Sequence, residues 1–305
     1  MDSTRRLILG AAATVPFLTG GGAFAQNSPV SVTTTIGRLT GLTRNGVHGF
    51  KGVRYGQDTR STRFAKPKPA LPVSDVYDAT AYRAACPQSA NQPIESEDCL
   101  FLNIWTSGLH DGGKRPIMFY IHGGAYSNGS GSDELYDGTN LVNKGDVVVV
   151  TINHRLNAFG YLYLDRLFPG AFPDSGNAGQ WDILLALEWV KKNAVAIGGD
   201  PDRIMVFGQS GGGAKIATMM ASPAAKGLFH KAATMSGQQV TASGPLNATE
   251  RARAFLKEAG LANASVDDLK TVPAQRLVEG LSARDPINPN QGLYFGPVLD
   301  ERMLS

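Results

Sequence analysis

The sequence predicts an α/β protein, a mainly parallel central sheet with helices on both faces. Two short, nearly continuous apolar runs, at residues 116–121 and 147–152, read as central parallel strands, which are buried on both faces. In residues 180–193, Ile183, Leu184, Leu187 and Val190 recur at helical spacing. Further along, strand and helix patterns alternate, and this alternation is the signature of βαβ units.

The elements follow in order. Residues 30–35 and 38–42 are rich in β-branched side chains, and Asn45-Gly46 is a strong hairpin turn signal. Residues 66–72 form a Pro-rich connector, and residues 100–105 alternate as a strand does. Helix 180–193 carries a Glu188/Lys192 pair at i,i+4 and ends before Gly198-Gly199-Asp200-Pro201. A strand at 204–207 runs into a glycine-rich turn and a helix that Pro223 stops. Residues 232–236 read as one more strand and residues 248–260 as a surface helix.

Composition bounds the function. The 305 residues are 42% hydrophobic, enough for a large buried core. A net charge of +3, spread along the chain, is too even a balance to suggest nucleic acid or an anionic membrane as the main partner, and neither is expected. Residues 1–25 read as a signal peptide: Arg5-Arg6, an apolar stretch at 7–19, then Ala23-Phe24-Ala25 as a small-x-small cleavage site. Thr4-Arg5-Arg6-Leu7-Ile8-Leu9 also fits a twin-arginine signal. Residues 26–305 then form the folded portion, exported to the periplasm or secreted. Nothing in that portion is long and apolar enough to span a bilayer. Two cysteines, Cys86 and Cys99, suggest a disulfide in an exported protein, two buried free thiols being the alternative. No histidine is close to either in sequence, so no metal site is expected there, and no cofactor is implied anywhere.

Residues 203–213 carry the chemistry. Ile204, Met205, Val206 and Phe207 lead into Gly208-Gln209-Ser210-Gly211-Gly212, a Gly-x-Ser-x-Gly turn between strand and helix. This is a nucleophile elbow, in which a sharp turn lifts a serine hydroxyl above the sheet. The helix that follows brings free N–H groups and a positive dipole end beside Ser210. A phosphate-binding loop is the rival reading. It needs lysine directly after the glycine and then Ser or Thr, whereas here Ala214 intervenes and Ile216 follows Lys215. Upstream, Ile121-His122-Gly123-Gly124-Ala125-Tyr126 follows a strand directly. Small residues there let backbone N–H groups approach a developing oxyanion.

With both motifs present, the chain resembles the type-B carboxylesterase family, which includes bacterial para-nitrobenzyl esterases and the cholinesterases. Residues 97–105, Glu-Asp-Cys-Leu-Phe-Leu-Asn-Ile-Trp, resemble the family's cysteine-containing signature, and residues 198–212 its serine signature. Asn153-His154-Arg155-Leu156 and Gly176-Asn177-Ala178-Gly179 match the pattern between them. The resemblance implies the α/β-hydrolase fold and hydrolysis of a small-molecule carboxylic ester. It implies Ser210 as nucleophile, Gly124, Ala125 and Gly211 as backbone oxyanion donors, and Cys86–Cys99 as the family's first disulfide. Gln209 stands where the family usually has Glu, and Ile197 where it usually has Phe.

The triad order in such enzymes is Ser, then Asp or Glu, then His. Of His48, His110, His122, His154 and His230, only His230 follows Ser210, and its segment resembles a structural one. Asp300 and Glu301 resemble carboxylates that precede the triad acid. Because family members are longer, the resemblance implies that the triad acid and histidine and the C-terminal part of the fold are missing here. A non-catalytic secreted binding module on the same scaffold is the alternative function. Tyr126 and Tyr136 are candidates to line a substrate gorge or to be buried structural tyrosines.

Overall fold

In a computed structural model, the structure describes residues 27–304 except Gln238. Residues 1–25, expected from sequence to be a signal peptide, lie outside the described residues. The strands are β1 (Ser28–Thr34), β2 (Gly37–Arg44), β3 (Val47–Arg54), β4 (Tyr77–Asp78), β5 (Phe101–Thr106), β6 (Arg115–Ile121), β7 (Val148–Ile152), β8 (Gly199–Gln209) and β9 (Lys231–Met235). The helices are α1 (Thr139–Gly145), α2 (Asn157–Tyr161), α3 (Ala178–Asn193), α4 (Gly211–Ala221), α5 (Pro245–Glu258), α6 (Val266–Thr271) and α7 (Ala274–Glu279).

All the described strands join one nine-stranded sheet in the order β1-β2-β3-β5-β7-β6-β8-β9, with β4 beside β2. The parallel block predicted from the apolar runs is there: β7, β6, β8 and β9 all run the same way. The N-terminal side differs from the predicted mainly parallel sheet, because β1, β2, β3, β5 and β7 pair antiparallel. For β1, β2 and β3 the cause is connection length. Two residues join β1 to β2 and two join β2 to β3, and so short a turn closes only an antiparallel hairpin. At the second turn Asn45 and Gly46 both have positive φ (51° and 77°), the backbone that a two-residue hairpin turn of the favoured hand requires.

The central strands β5 and β7 are buried at every residue. Alternate side chains serve two layers. Leu102, Ile104, Ile117, Phe119, Val148, Val150, Ile204 and Val206 enter the main core with Ile183, Leu187 and Val190 of α3 and Ile216 and Met219 of α4. Trp105 and Val149 point the other way, onto Val142 of α1. Helices therefore cover both faces, as predicted. On that second face Phe207 and Tyr136 both pack on Tyr120, at ring separations of 5.0 and 4.6 Å. At the far edge of the sheet β9 is exposed at Lys231, Ala232 and Met235. Among the described residues, no helix is long and apolar enough to cross a membrane.

A buried ion pair ties α3 to the loop after β7. Arg155 and Asp182 have side chains 2% and 0% exposed, with Arg155 Nη2 2.6 Å from Asp182 Oδ1. Asp182 Oδ2 also accepts the Arg155 amide and Nε, each at 2.9 Å.

The expected Cys86–Cys99 disulfide is not formed in the structure, where both are buried free thiols. Cys86 Sγ accepts the Leu156 amide at 3.3 Å, and the two thiols share a hydrogen bond. That bond and then burial push the Cys99 thiol well above its ordinary range, so the reactive thiolate is suppressed.

Candidate active site

β8 carries the chain to Gln209, and α4 begins at Gly211, so Ser210 is the single residue of the turn. Its backbone lies at φ 54° and ψ −120°, a region that L-residues rarely occupy. Strain of this kind costs of order 1–3 kcal/mol and persists only where the surroundings enforce it. Here the Ser210 amide donates to the Met235 carbonyl at the end of β9 (2.8 Å), and its carbonyl accepts the Ala214 amide (3.1 Å). Gly212 is needed for space, since a side chain there would run into the Ile121 carbonyl oxygen. α4 begins directly after Ser210, so the free amide end of the helix points toward it.

The loop after β6 comes to the same place. Gly124 and Ala125 both take left-handed backbone, at φ 87° and 51°. The Gly124 carbonyl accepts the Ser127 and Asn128 amides, each at 3.1 Å, which closes the loop into a tight turn. Asn157 braces it: its backbone amide donates to the Tyr126 carbonyl (2.7 Å) and its side chain to the Ser127 and Pro87 carbonyls. Gly211 meets Ala125 backbone to backbone, for a Cβ on Gly211 would lie 2.6 Å from the Ala125 nitrogen. Ala125, Tyr126, Ser210, Gly211 and Gly237 line one open cavity of about 350 Å³. The elbow serine and two of the three predicted donor positions thus face a common space, with Gly124 adjoining.

None of the five histidines hydrogen-bonds Ser210. His230 Nδ1 accepts the Ile204 amide (3.2 Å), the structural role predicted for it, and His48 pairs with Thr43. His110 is exposed. His122 and His154 are fully buried and stacked, with ring centroids 4.9 Å apart. His122 Nδ1 donates to the Gly123 carbonyl and His154 Nδ1 to the Arg155 carbonyl, and neither Nε2 has a partner among the described residues. Burial, and then the charge of Lys215, lowers the His122 pKa to about 3. So low a pKa makes it a poor general base near neutrality. Asp300 accepts the Arg302, Met303 and Leu304 amides through Oδ1, a structural role.

The two tyrosines separate. Tyr126 is buried at the cavity, against Tyr161 and Thr218, whereas Tyr136 belongs to the opposite face of the sheet. The residues least legible in sequence were the supports. Gln88 pairs with both the amide and the carbonyl of Gly129, and Lys215 Nζ donates to the His122 carbonyl (3.2 Å). The one available signal was Lys215 itself, a charge on an otherwise apolar helix. No cluster of metal-ligating side chains occurs among the described residues.

Sheet order, elbow and loop together define an α/β-hydrolase with a serine at the nucleophile position. The carboxylesterase family's sequence profile matches residues 28–305. The chain is 42% identical over 285 residues to the para-nitrobenzyl esterase of Bacillus subtilis (strain 168), covering 90% of this chain and 57% of that protein. It is 35% identical over 243 residues to an acetylcholinesterase of Leptinotarsa decemlineata, covering 70% of this chain and 39% of that one. A solved Geobacillus stearothermophilus carboxylesterase superposes with a TM-score of 0.83 at 40% identity, over 90% of this chain and 56% of its own. The chain belongs to the carboxylesterase family. It spans little more than half the length of the bacterial relatives it matches.

Proposed function

We propose that this chain carries the nucleophile and oxyanion donors of an exported serine carboxylic ester hydrolase. The observation that carries the reading is Ser210, held in left-handed backbone at the head of α4 and facing a cavity it shares with Ala125 and Gly211. Strained backbone at a helix N-terminus has a cost that plain structure does not require.

In the reaction, Ser210 Oγ attacks the ester carbonyl carbon while its proton passes to a general base. The carbonyl π electrons move onto oxygen, and the amides of Gly124, Ala125 and Gly211 hold that oxyanion. Loss of one such donor lowers kcat by roughly 10²–10³-fold. The C–O bond to the alcohol then breaks, the base returns its proton to the leaving oxygen, and an acyl-Ser210 ester remains. Water attacks that ester with the same base, releasing the carboxylic acid and restoring Ser210. The base and its orienting acid come from outside the described residues, because none of the five histidines is bonded to Ser210.

The same absence of a bonded histidine favours the second reading, a non-catalytic binding module on this scaffold. A burst experiment separates the two. The native protein, mixed with a short-chain nitrophenyl ester, is expected to release one nitrophenolate per chain in a burst and to carry the acyl mass on the Ser210 peptide. Ser210→Ala is expected to show neither. No burst and no acyl adduct in the native protein would establish the binding reading instead.

A further inference from the structure

Lys215 is the one fully buried lysine of the described chain, 0% exposed on the second turn of α4. A buried ammonium is ordinarily paired with a carboxylate. Here no acidic group contributes to its state, and burial alone acts on it. Its surroundings are neutral. From β6, the His122 carbonyl accepts its Nζ at 3.2 Å. The two stacked imidazoles of His122 and His154 present unpartnered Nε2 atoms and feel its charge. The Tyr126 ring face lies 5.6 Å from Nζ. From α3, Gln180 bonds the Lys215 carbonyl rather than its amine. The Arg155–Asp182 pair is closed on itself. Charges on β8 and β9, namely Asp200, Asp202, Arg203 and Lys231, sit at the starts of those strands, remote from the elbow end.

The carbonyl that Lys215 holds belongs to the peptide leading directly into Gly123-Gly124-Ala125. The geometry points to Lys215 as a positioning residue for the oxyanion loop: its ammonium, anchored under the nucleophile helix, clamps the His122–Gly123 peptide and so sets where the Gly124 and Ala125 amides stand. One side chain thereby joins the two segments that must be registered to each other, the helix carrying Ser210 and the loop opposing it. The clamp is strongest when Lys215 is charged. A charged donor bonds a carbonyl roughly twice as strongly as a neutral one, and a neutral amine leaves the loop freer to shift. Burial lowers the Lys215 pKa to about 7, so the clamp is charged below that pH and released above it.

The effect on rate rests on the ester-hydrolase reading, and the test therefore has an arm without turnover. First, labelling of Ser210 by a fluorophosphonate is followed from pH 5.5 to 9 in the native protein, in Lys215→Met and in Lys215→Arg, each confirmed folded by thermal melt. At pH 5.5 Lys215→Met is expected to label about 10- to 100-fold more slowly than native, the range that roughly 1 Å of misplacement costs. At pH 9 the two are expected to converge, while Lys215→Arg stays fast. A native-to-Met ratio that does not change with pH would overturn the clamp, since a purely structural lysine gives a constant ratio. Second, the backbone amide resonances of Gly123 and Gly124 are expected to titrate near pH 7 in the native protein and to stop doing so in Lys215→Met. Their failure to titrate, or titration surviving the substitution, would also overturn it. If the native protein labels at no pH, the reading of Ser210 fails, and the amide titration alone decides the clamp.

Discussion

Neutralising Asp182 tests the packing that supports the site. Asp182→Asn keeps the shape of the side chain and removes its charge, leaving the Arg155 guanidinium 2% exposed with no anion. Three contacts are affected: Asp182 to the Arg155 amide at 2.9 Å, to Nε at 2.9 Å and to Nη2 at 2.6 Å. An amide oxygen still accepts one of these donors, but its NH₂ group faces another donor. Removing one partner of a buried pair costs about 3–5 kcal/mol, most of it the uncompensated charge. At roughly 2–4 °C per kcal/mol for a chain of this size class, the melting temperature is expected to fall by about 6–20 °C. Urea unfolding followed by tryptophan fluorescence reads this directly, because Trp181 adjoins Asp182. The double variant Arg155→Met/Asp182→Leu removes both charges and is expected to recover most of the loss, since an apolar pair of similar volume is often neutral or better. A single variant within about 1 kcal/mol of native stability would refute the reasoning, being worth no more than an exposed pair.

Other perturbations reach different parts of the structure. Gly212→Ala sets a methyl against the Ile121 carbonyl and is expected to abolish Ser210 labelling and lower stability by about 1–3 kcal/mol, read by melting and labelling together. Cys86 and Cys99 are expected to be silent to a thiol reagent at pH 8 in the native protein and to give two thiols per chain in guanidinium; native reactivity would contradict their burial. His122 has a folded pKa of about 3, below its unfolded value, so between pH 6.5 and 3 the unfolded state binds more protons and stability drains away as pH falls. Replacing it by Gln is expected to remove roughly 2–3 kcal/mol of the decline between pH 6.5 and 4.5, measured by urea titration at each pH.

The elbow was legible because Gly208-Gln209-Ser210-Gly211-Gly212 states a backbone requirement in local sequence. An apolar strand precedes it, a helix follows it, and the glycines stand where backbones touch. The hairpin at Asn45-Gly46 was legible for the same reason. Strand direction was not, because an apolar run such as residues 100–105 is equally buried in a parallel or an antiparallel ladder. The surroundings of the cysteines were not legible, because spacing and export context say nothing of the Leu156 amide that engages Cys86 Sγ. The burial of Lys215 was not legible either, since it depends on His122 and His154, residues 93 and 61 positions away whose contact only the folded sheet creates. Tyr136 and Tyr126 were indistinguishable in sequence, since the face of the sheet each one joins is a property of tertiary packing.

The central claim is that Ser210 is an activated nucleophile. Its most direct test is mass spectrometry of the protein isolated from the cells that make it, after brief exposure to a fluorophosphonate at neutral pH. The account expects one adduct per chain, located on the peptide containing Ser210 and absent from Ser210→Ala. An unmodified Ser210 in folded native protein, or an adduct on another residue, would contradict it.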